Sequence, residues 1–187
     1  MLLTIIAMTA AACSLSSGSV TYRIDPTQSV VSAKVPFFGI GSKSATFPNM
    51  EGSITIDPAN AGTINLRVQL DGRALEASDG LTQRRLKGEK FFWVDRYPEI
   101  TFTGAALTMR NDTAGVVDGS ISARGKRVGA TLDVTFDRPT KEICGNRPVS
   151  FTARTTIDRR HYGMTSYGLI VGNKVSINIE ARMVPDR

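Results

Sequence analysis

Over residues 175–183 the chain alternates without a break, with Val175, Ile177, Ile179, Ala181 and Met183 apolar and Ser176, Asn178, Glu180 and Arg182 polar between them. Successive side chains of an extended backbone point to opposite faces, so this spacing predicts a strand with one dry face and one wet face. The same period of two returns at 64–70, where Ile64, Leu66, Val68 and Leu70 alternate with Asn65, Arg67 and Gln69, and again at 132–136 and 151–157. Further strands are expected at 22–24, 30–37, 52–56, 100–107 and 119–123. Turn signals separate these runs at Asp57-Pro58, Asp71-Gly72, Asn111-Asp112, Asp118-Gly119 and Gly172-Asn173, giving an antiparallel meander. Only 80–90 reads as helical, a short polar stretch with Leu81 and Leu86 that caps an opening. An all-β chain of about eight one-sided strands, with no helices to cover them, packs as a sandwich or closes as a barrel, and closure leaves no exposed edge. The 187 residues suit one domain over 20–184, since no linker or shift of composition divides them.

The segment 91–102, FFWVDRYPEITF, is the densest in signal. A residue before proline is pushed to an extended conformation, so Tyr97 feeds a strand beginning near Glu99. Phe91, Phe92, Asp95, Arg96, Tyr97, Pro98, Ile100 and Phe102 resemble the signature of the YceI-like family. Three other segments resemble that family in the same order: Tyr22, Ile24, Asp25, Pro26 and Ser29; Gly125 to Val128; and Arg160 to Met164. Two places depart from the pattern. Gln28 stands where many members have His, and Arg84 and Arg85 stand near the family's Arg-Asp pair and a His before Leu86. The resemblance implies a single eight-stranded lipocalin-like β-barrel, and a bacterial periplasmic carrier binding a long apolar chain such as a polyisoprenoid.

A barrel of eight strands is filled by its own side chains or holds one small ligand. Ala33, Gly104, Ala106, Ala123, Ala153 and Ala181 fall in phase with the dry face, and interspersed with large aromatics they favour a cavity; the other reading is that they offset large neighbours in a packed interior. On the first reading Phe38, Phe91, Phe92, Phe102, Phe136 and Phe151 form wall or entrance, with Ala153 inside. Arg159, Arg160, His161 and Tyr162 follow directly on a strand and fall at a rim. Arg159 and Arg160, with Arg85, could hold an anionic head group there, or the run is an ordinary charged turn. The rival to a carrier is an envelope interaction module with a solid barrel.

Catalytic chemistry has little to work with. His161 is the one histidine, and the two cysteines, Cys13 and Cys144, have no metal-site spacing, so neither metal nor cofactor is expected. No nucleophile elbow, phosphate-cradling loop or dinucleotide turn occurs, and the carboxylates fall in turns or on wet faces, so an enzyme is not expected. The formal charge of +6 favours anionic partners, which for an exported protein means phosphate-bearing lipid or a membrane surface rather than nucleic acid.

Residues 1–12, MLLTIIAMTAAA, are too short to span a bilayer and end in small residues, the profile of a secretory signal peptide, although no Lys or Arg precedes the apolar run. Cys13 follows directly, where a bacterial lipoprotein carries its lipid and associates with the membrane through it; cleavage of a soluble product is the other reading. Cys144 is an unpaired thiol or the partner of Cys13. The mature chain is expected to begin at Cys13 or a few residues after it. Intact-mass measurement of envelope-fraction protein checks this: a Met1 start refutes export, and an acyl addition that vanishes in Cys13→Ser establishes lipidation.

Overall fold

The computed structural model describes residues 19–57, 62–143 and 146–186, so the leader-like run, Cys13 and Cys144 lie outside the described residues. Eleven strands are found: β1 (Val20–Ile24), β2 (Val30–Phe37), β3 (Gly41–Phe47), β4 (Glu51–Ile56), β5 (Thr63–Asp71), β6 (Glu76–Ala77), β7 (Glu99–Met109), β8 (Ala114–Ala123), β9 (Lys126–Phe136), β10 (Val149–Asp158) and β11 (Lys174–Pro185). Among the described residues one α-helix, α1 (Gly80–Lys87), joins them. β11 is the strand with the strictest alternation. β8 and β9 start earlier than expected because Gly115, Gly119 and Gly129 dilute their apolar period. The alternation did not mark β3 at all, since GSKSATF has only Ala45 and Phe47 as apolar residues.

The strands resolve into eight antiparallel paths, because the first three paths are each interrupted. A 3₁₀ turn at Pro26–Gln28 separates β1 from β2, Pro48 to Met50 separate β3 from β4, and a 3₁₀ turn at Gly72–Ala74 separates β5 from β6. Proline cannot donate to a ladder, and Asp25 and Asp71 each turn the chain by accepting the backbone N–H two residues on. β1 pairs with β4 and β2 with β3; β4 then pairs with β5 and β3 with β6. The ring continues β5–β7–β8–β9–β10–β11 and closes where β11 pairs with β1 (Ile24 opposite Met183) and with β2 (Val31 opposite Ile179). Across the first interruption β11 keeps its bonds, as the Asp25 N–H donates to the Arg182 carbonyl (2.8 Å) and the Arg182 N–H donates to the Ser29 hydroxyl (3.0 Å). The fold is therefore the closed eight-stranded antiparallel barrel that the pattern and the resemblance implied.

Two turn signals do other work. Asp71-Gly72 opens an interruption inside one path, and Asp118-Gly119 lies within β8 rather than between strands. The cause at Gly119 is steric. A Cβ there would sit 2.2 Å from the Thr103 carbonyl oxygen and 2.8 Å from the Phe102 ring, beside Gly104 of β7, where the β7–β8 register shifts. The Phe102 ring covers this glycine pair, and the bulge bends the wall.

The two ends of the barrel differ. At the end where β1 begins and β11 finishes, Tyr22, Ile24, Ile54, Leu66, Leu132, Val134, Val149, Ala153 and Met183 form a closed core, with Met50 and Leu75 buried at the interruptions. Full burial of an aliphatic side chain such as Met50, Leu75 or Val149 contributes about 1.5–3 kcal/mol. The opposite end carries the β2–β3 turn, α1 with residues 88–98, the β8–β9 turn and the β10–β11 loop.

Gly119→Ala is expected to lower stability by about 1–3 kcal/mol through overpacking against Thr103, whereas Gly41→Ala, whose added methyl would meet nothing closer than 3.8 Å, changes little. Thermal melts of the two variants side by side check the close approach.

Candidate functional site

Two connected cavities occupy the upper half of the barrel. The inner one, about 140 Å³, is walled by Leu66, Val68, Leu70, Ile100, Phe102, Ile121, Leu132 and Phe151 among others. The outer vestibule, about 300 Å³, lies between β2 and β3 on one side and α1 and the β10–β11 loop on the other. Ala33, Phe47, Phe92, Arg159, Met164 and Val175 belong to both walls, so the two spaces meet at a common neck. The interior is apolar apart from Thr101, Thr155, Tyr162 and the Arg159 head.

Local bonding builds the vestibule. Asp79 caps α1, accepting from the Thr82 N–H (2.8 Å) and hydroxyl (2.8 Å), and it also receives Lys43 Nζ of β3 at 2.8 Å. These donors hold its carboxyl well below the usual carboxylate range, the Lys43 bond first among them. The helix is thus fastened to the far wall. The chain then folds back, with the Phe92 N–H donating to the Leu86 carbonyl (3.0 Å), and delivers Phe91 to the vestibule and Phe92 to the neck. Phe91 stacks on Tyr167 (centroids 6.0 Å apart), and Phe92 meets Phe47 edge-on at 5.7 Å. Gly125, at φ +69°, leaves room for Tyr97, whose Cε1 would lie 2.9 Å from an added Cβ. Its neighbour Arg124 donates to the carbonyls of Gly163 and Glu89. Three of the sequence motifs therefore meet around one opening.

The Arg159-Arg160 pair is split by its 3₁₀ turn, Arg159–Tyr162. Arg159 turns inward and is 3% exposed. Its Nε donates to Gly172 O (2.9 Å), Nη1 to Met164 O (2.5 Å) and Ser166 O (2.8 Å), and Nη2 to Val171 O (3.0 Å). A guanidinium has five N–H donors, so this loop takes four of them. Burial lowers its pKa, against the pull of Asp158. Arg160 turns away from both cavities and forms a two-pronged pair with Asp158, Nε–Oδ1 at 3.0 Å and Nη2–Oδ2 at 2.7 Å. That pairing holds the Asp158 carboxyl well below its ordinary range despite its burial.

The other expected residues divide in the same way. Arg85 lines the vestibule with its guanidinium over the Tyr167 ring (5.8 Å), and Phe102 and Phe151 line the inner cavity. Phe38 stands at the entrance, 59% exposed at the rim and edge-on to Phe37. Phe136 lies beside Phe151 on the neighbouring strand (ring centroids 6.2 Å apart) and touches neither cavity. Ala153 is buried in the closed core, off the cavity wall. Tyr162 lines the inner cavity, where its hydroxyl has no hydrogen-bond partner and burial raises its pKa. It fills a gap in the ring, since β9 and β10 pair only as far as Asp133 opposite Arg154, and above that Tyr162 packs with Val128, Ala130 and Ile157. Phe47, Met164, Tyr167, Ile170 and Val171 are wall residues that the alternation did not mark. Among the described residues no group of His, Cys, Asp and Glu gathers as a metal site.

Residues 22–183 match the family model described as the YceI-like domain. The chain belongs to the YceI-like family. A UPF0312 protein of Pseudomonas putida (strain GB-1) is 24% identical over 149 residues, 79% of this chain and 78% of the relative. The crystal structure of Burkholderia cenocepacia BcnA superposes with a TM-score of 0.74 at 20% identity, covering 85% of this chain and 98% of that one. A polyisoprenoid binding domain from Saccharophagus degradans, implicated in plant cell wall breakdown, superposes with a TM-score of 0.67 at 13% identity, covering 89% of this chain and 99% of the other. These two structures carry the same fold. The Arg-x-x-Tyr-Gly segment, which falls on Arg159 to Gly163, is thus the turn that sets Arg160 outside the barrel beside Arg159 buried within it.

The Asp158–Arg160 pair makes stability depend on acid in a defined direction. A carboxyl whose folded-state pKa lies below its ordinary 3.8 stabilises the fold above that value, and the contribution fades as pH falls through the lower folded-state value. Asp158→Asn keeps a side-chain oxygen for the Arg160 N–H and removes the charge. The gap in thermal midpoint between wild type and Asp158→Asn is expected to be constant at roughly pH 5–7 and to close below about pH 3.8. A gap unchanged at low pH contradicts the assignment.

Proposed function

We propose that this YceI-like barrel is a non-catalytic carrier of the bacterial periplasm that sequesters a long-chain isoprenoid or similar amphiphile, exported by means of its leader-like run. The observation that carries the reading is the neck shared by an apolar inner cavity and an open vestibule. The polyisoprenoid binding domain of Saccharophagus degradans, which has the same fold, supports the choice of ligand class. At about 140 Å³ the inner cavity is smaller than the roughly 300–1,000 Å³ usual for a small-molecule site, and the vestibule's 300 Å³ brings the pair into that range. The chain end then lies among Phe102, Phe151 and Ile121, the next segment passes Ala33 and Phe92, and the polar head stays at the mouth.

The head-group role falls to Arg85. Arg159 has given four of its donors to the loop, and Arg160 faces Asp158 outside the cavity. Apolar burial contributes about 0.8 kcal/mol per methylene, about fourfold in affinity, so binding is expected to tighten with chain length until the space is full.

Ala33, on the neck, is the site at which to test this. Ala33→Phe is expected to weaken binding of a long prenol at least tenfold while leaving the thermal midpoint of the free protein nearly unchanged, because the added ring enters unfilled space. Native mass spectrometry of purified protein, followed by titration with prenols of increasing length, provides the measurement. A solid-barrel interaction module would retain no lipid, show no dependence on chain length, and be destabilised by Ala33→Phe.

A further inference from the structure

The described residues leave five large apolar side chains open to water: Phe38 (59% exposed), Ile40 (97%), Leu81 (51%), Tyr167 (37%) and Leu169 (101%). All five lie at the vestibule end, on the β2–β3 turn, on α1 and on the β10–β11 loop. Single exposed apolar residues are ordinary on any surface. A cluster that encircles one opening, with none elsewhere, marks an interaction surface.

The apolar tips are held in place. The Phe38 N–H donates to the Ile170 carbonyl (2.8 Å), Phe37 bridges Val171, and the N–H groups of Ile170 and Val171 both bond to the Tyr167 carbonyl (3.0 and 2.8 Å). Phe38 and Tyr167 take positive φ angles of 55° and 59°, a region disfavoured for residues with a side chain and kept only where neighbours enforce it. Turn and loop therefore form one platform that pushes its aromatic and aliphatic ends outward.

Charge collects at the same end. Segments 78–98, 124–127 and 158–174 contain eleven Lys or Arg and four Asp or Glu, a net +7 against +6 for the whole chain; with Arg159 buried and Arg160 paired to Asp158, the other cations supply the charge that faces outward. Apolar tips ringed by cations match the layering of an anionic bilayer, in which phosphates surround the boundary of the acyl region.

We propose that the vestibule end docks on an anionic phospholipid bilayer, with Ile40 and Leu169 leading into the interface and the flanking Lys and Arg side chains meeting lipid phosphates. The inference rests on the carrier reading and deepens it, naming the surface from which the barrel is loaded. In that pose the mouth faces the acyl layer, and a lipid tail reaches the neck without crossing water.

The test uses the full chain with Cys13→Ser and Cys144→Ser, carrying a polarity-sensitive fluorophore either at Leu169→Cys on the rim or at Asp112→Cys in the β7–β8 turn at the opposite end. Vesicles of phosphatidylglycerol with phosphatidylcholine are compared with vesicles of phosphatidylcholine alone. Expected are a blue shift at position 169 on the anionic vesicles, none at position 112, and weakening by added salt. The unlabelled variant with Ile40→Asp and Leu169→Asp, both at fully exposed positions outside the cavity walls, is expected to partition onto those vesicles at least tenfold less than wild type. It should still take up geranylgeraniol delivered from cyclodextrin. Equal shifts at the two positions, equal partition of variant and wild type, or no vesicle binding by wild type overturns the docking proposal. Failure to take up geranylgeraniol with docking intact counts against the carrier reading alone.

Discussion

Arg159 is buried to 3% exposure, and its guanidinium donates to the carbonyls of four residues spread over Met164 to Gly172. A loop of that length has few ladder bonds of its own, so its carbonyls need donors once they leave water. One planar fork supplies them, and the loop it gathers forms a side of the vestibule. The Phe91 ring lies under the same cation at 5.9 Å, which ties the α1–β7 connection to the same centre. Without a charge at this point four carbonyls of the loop lose their donors, and the loop is held only by its turn at Tyr167 and its bonds to Pro36 and Phe38.

The alternation of β5, β10 and β11 was legible because those strands are long and have one dry face over their whole length. Period two, however, reports which face a residue occupies and says nothing of which neighbours cover it. Ala153 and Phe136 have the right phase, yet Ala153 is buried between Phe151 and Thr155, which reach the cavity in its place, and Phe136 stands beside Phe151 off the wall. Arg159 and Arg160 were legible as a basic run at a strand end, but neighbours in a 3₁₀ turn diverge, and one became a buried scaffold. The β10–β11 loop was silent for a simpler reason. Its wall residues, Met164, Tyr167, Ile170 and Val171, answer to carbonyl–guanidinium geometry, which leaves no periodic trace in the sequence.

The family motifs gain a physical meaning from their meeting point. Tyr97 from the aromatic segment lies against Gly125 of the β8–β9 turn, Arg124 bonds to Gly163 of the arginine–tyrosine–glycine turn, and Phe91 faces Arg159. Three segments distant in sequence thus form one collar. The remaining motif, Asp25-Pro26 with Ser29, works away from the collar, supplying a backbone N–H and a hydroxyl to Arg182 where β1 gives way to β2. One motif secures the seam of the cup and three shape its mouth.

The ladder is not equally complete at all heights. Among the described residues, β6 pairs with β3 but not with β7, and the upper part of β10 pairs with β11 but not with β9. The upper segments of β10, β11, β2, β3 and β6 therefore make a single leaf, joined to the rest through its lower edge and bounded on each flank by side-chain contacts instead of ladder bonds. Widening the aperture at the β9–β10 flank slides Tyr162 against its neighbours and strains the Arg124–Gly163 bond, but breaks no rung of the ladder. The girth of the mouth is consequently a matter of side-chain contacts, set separately from the hydrogen-bonded circumference below.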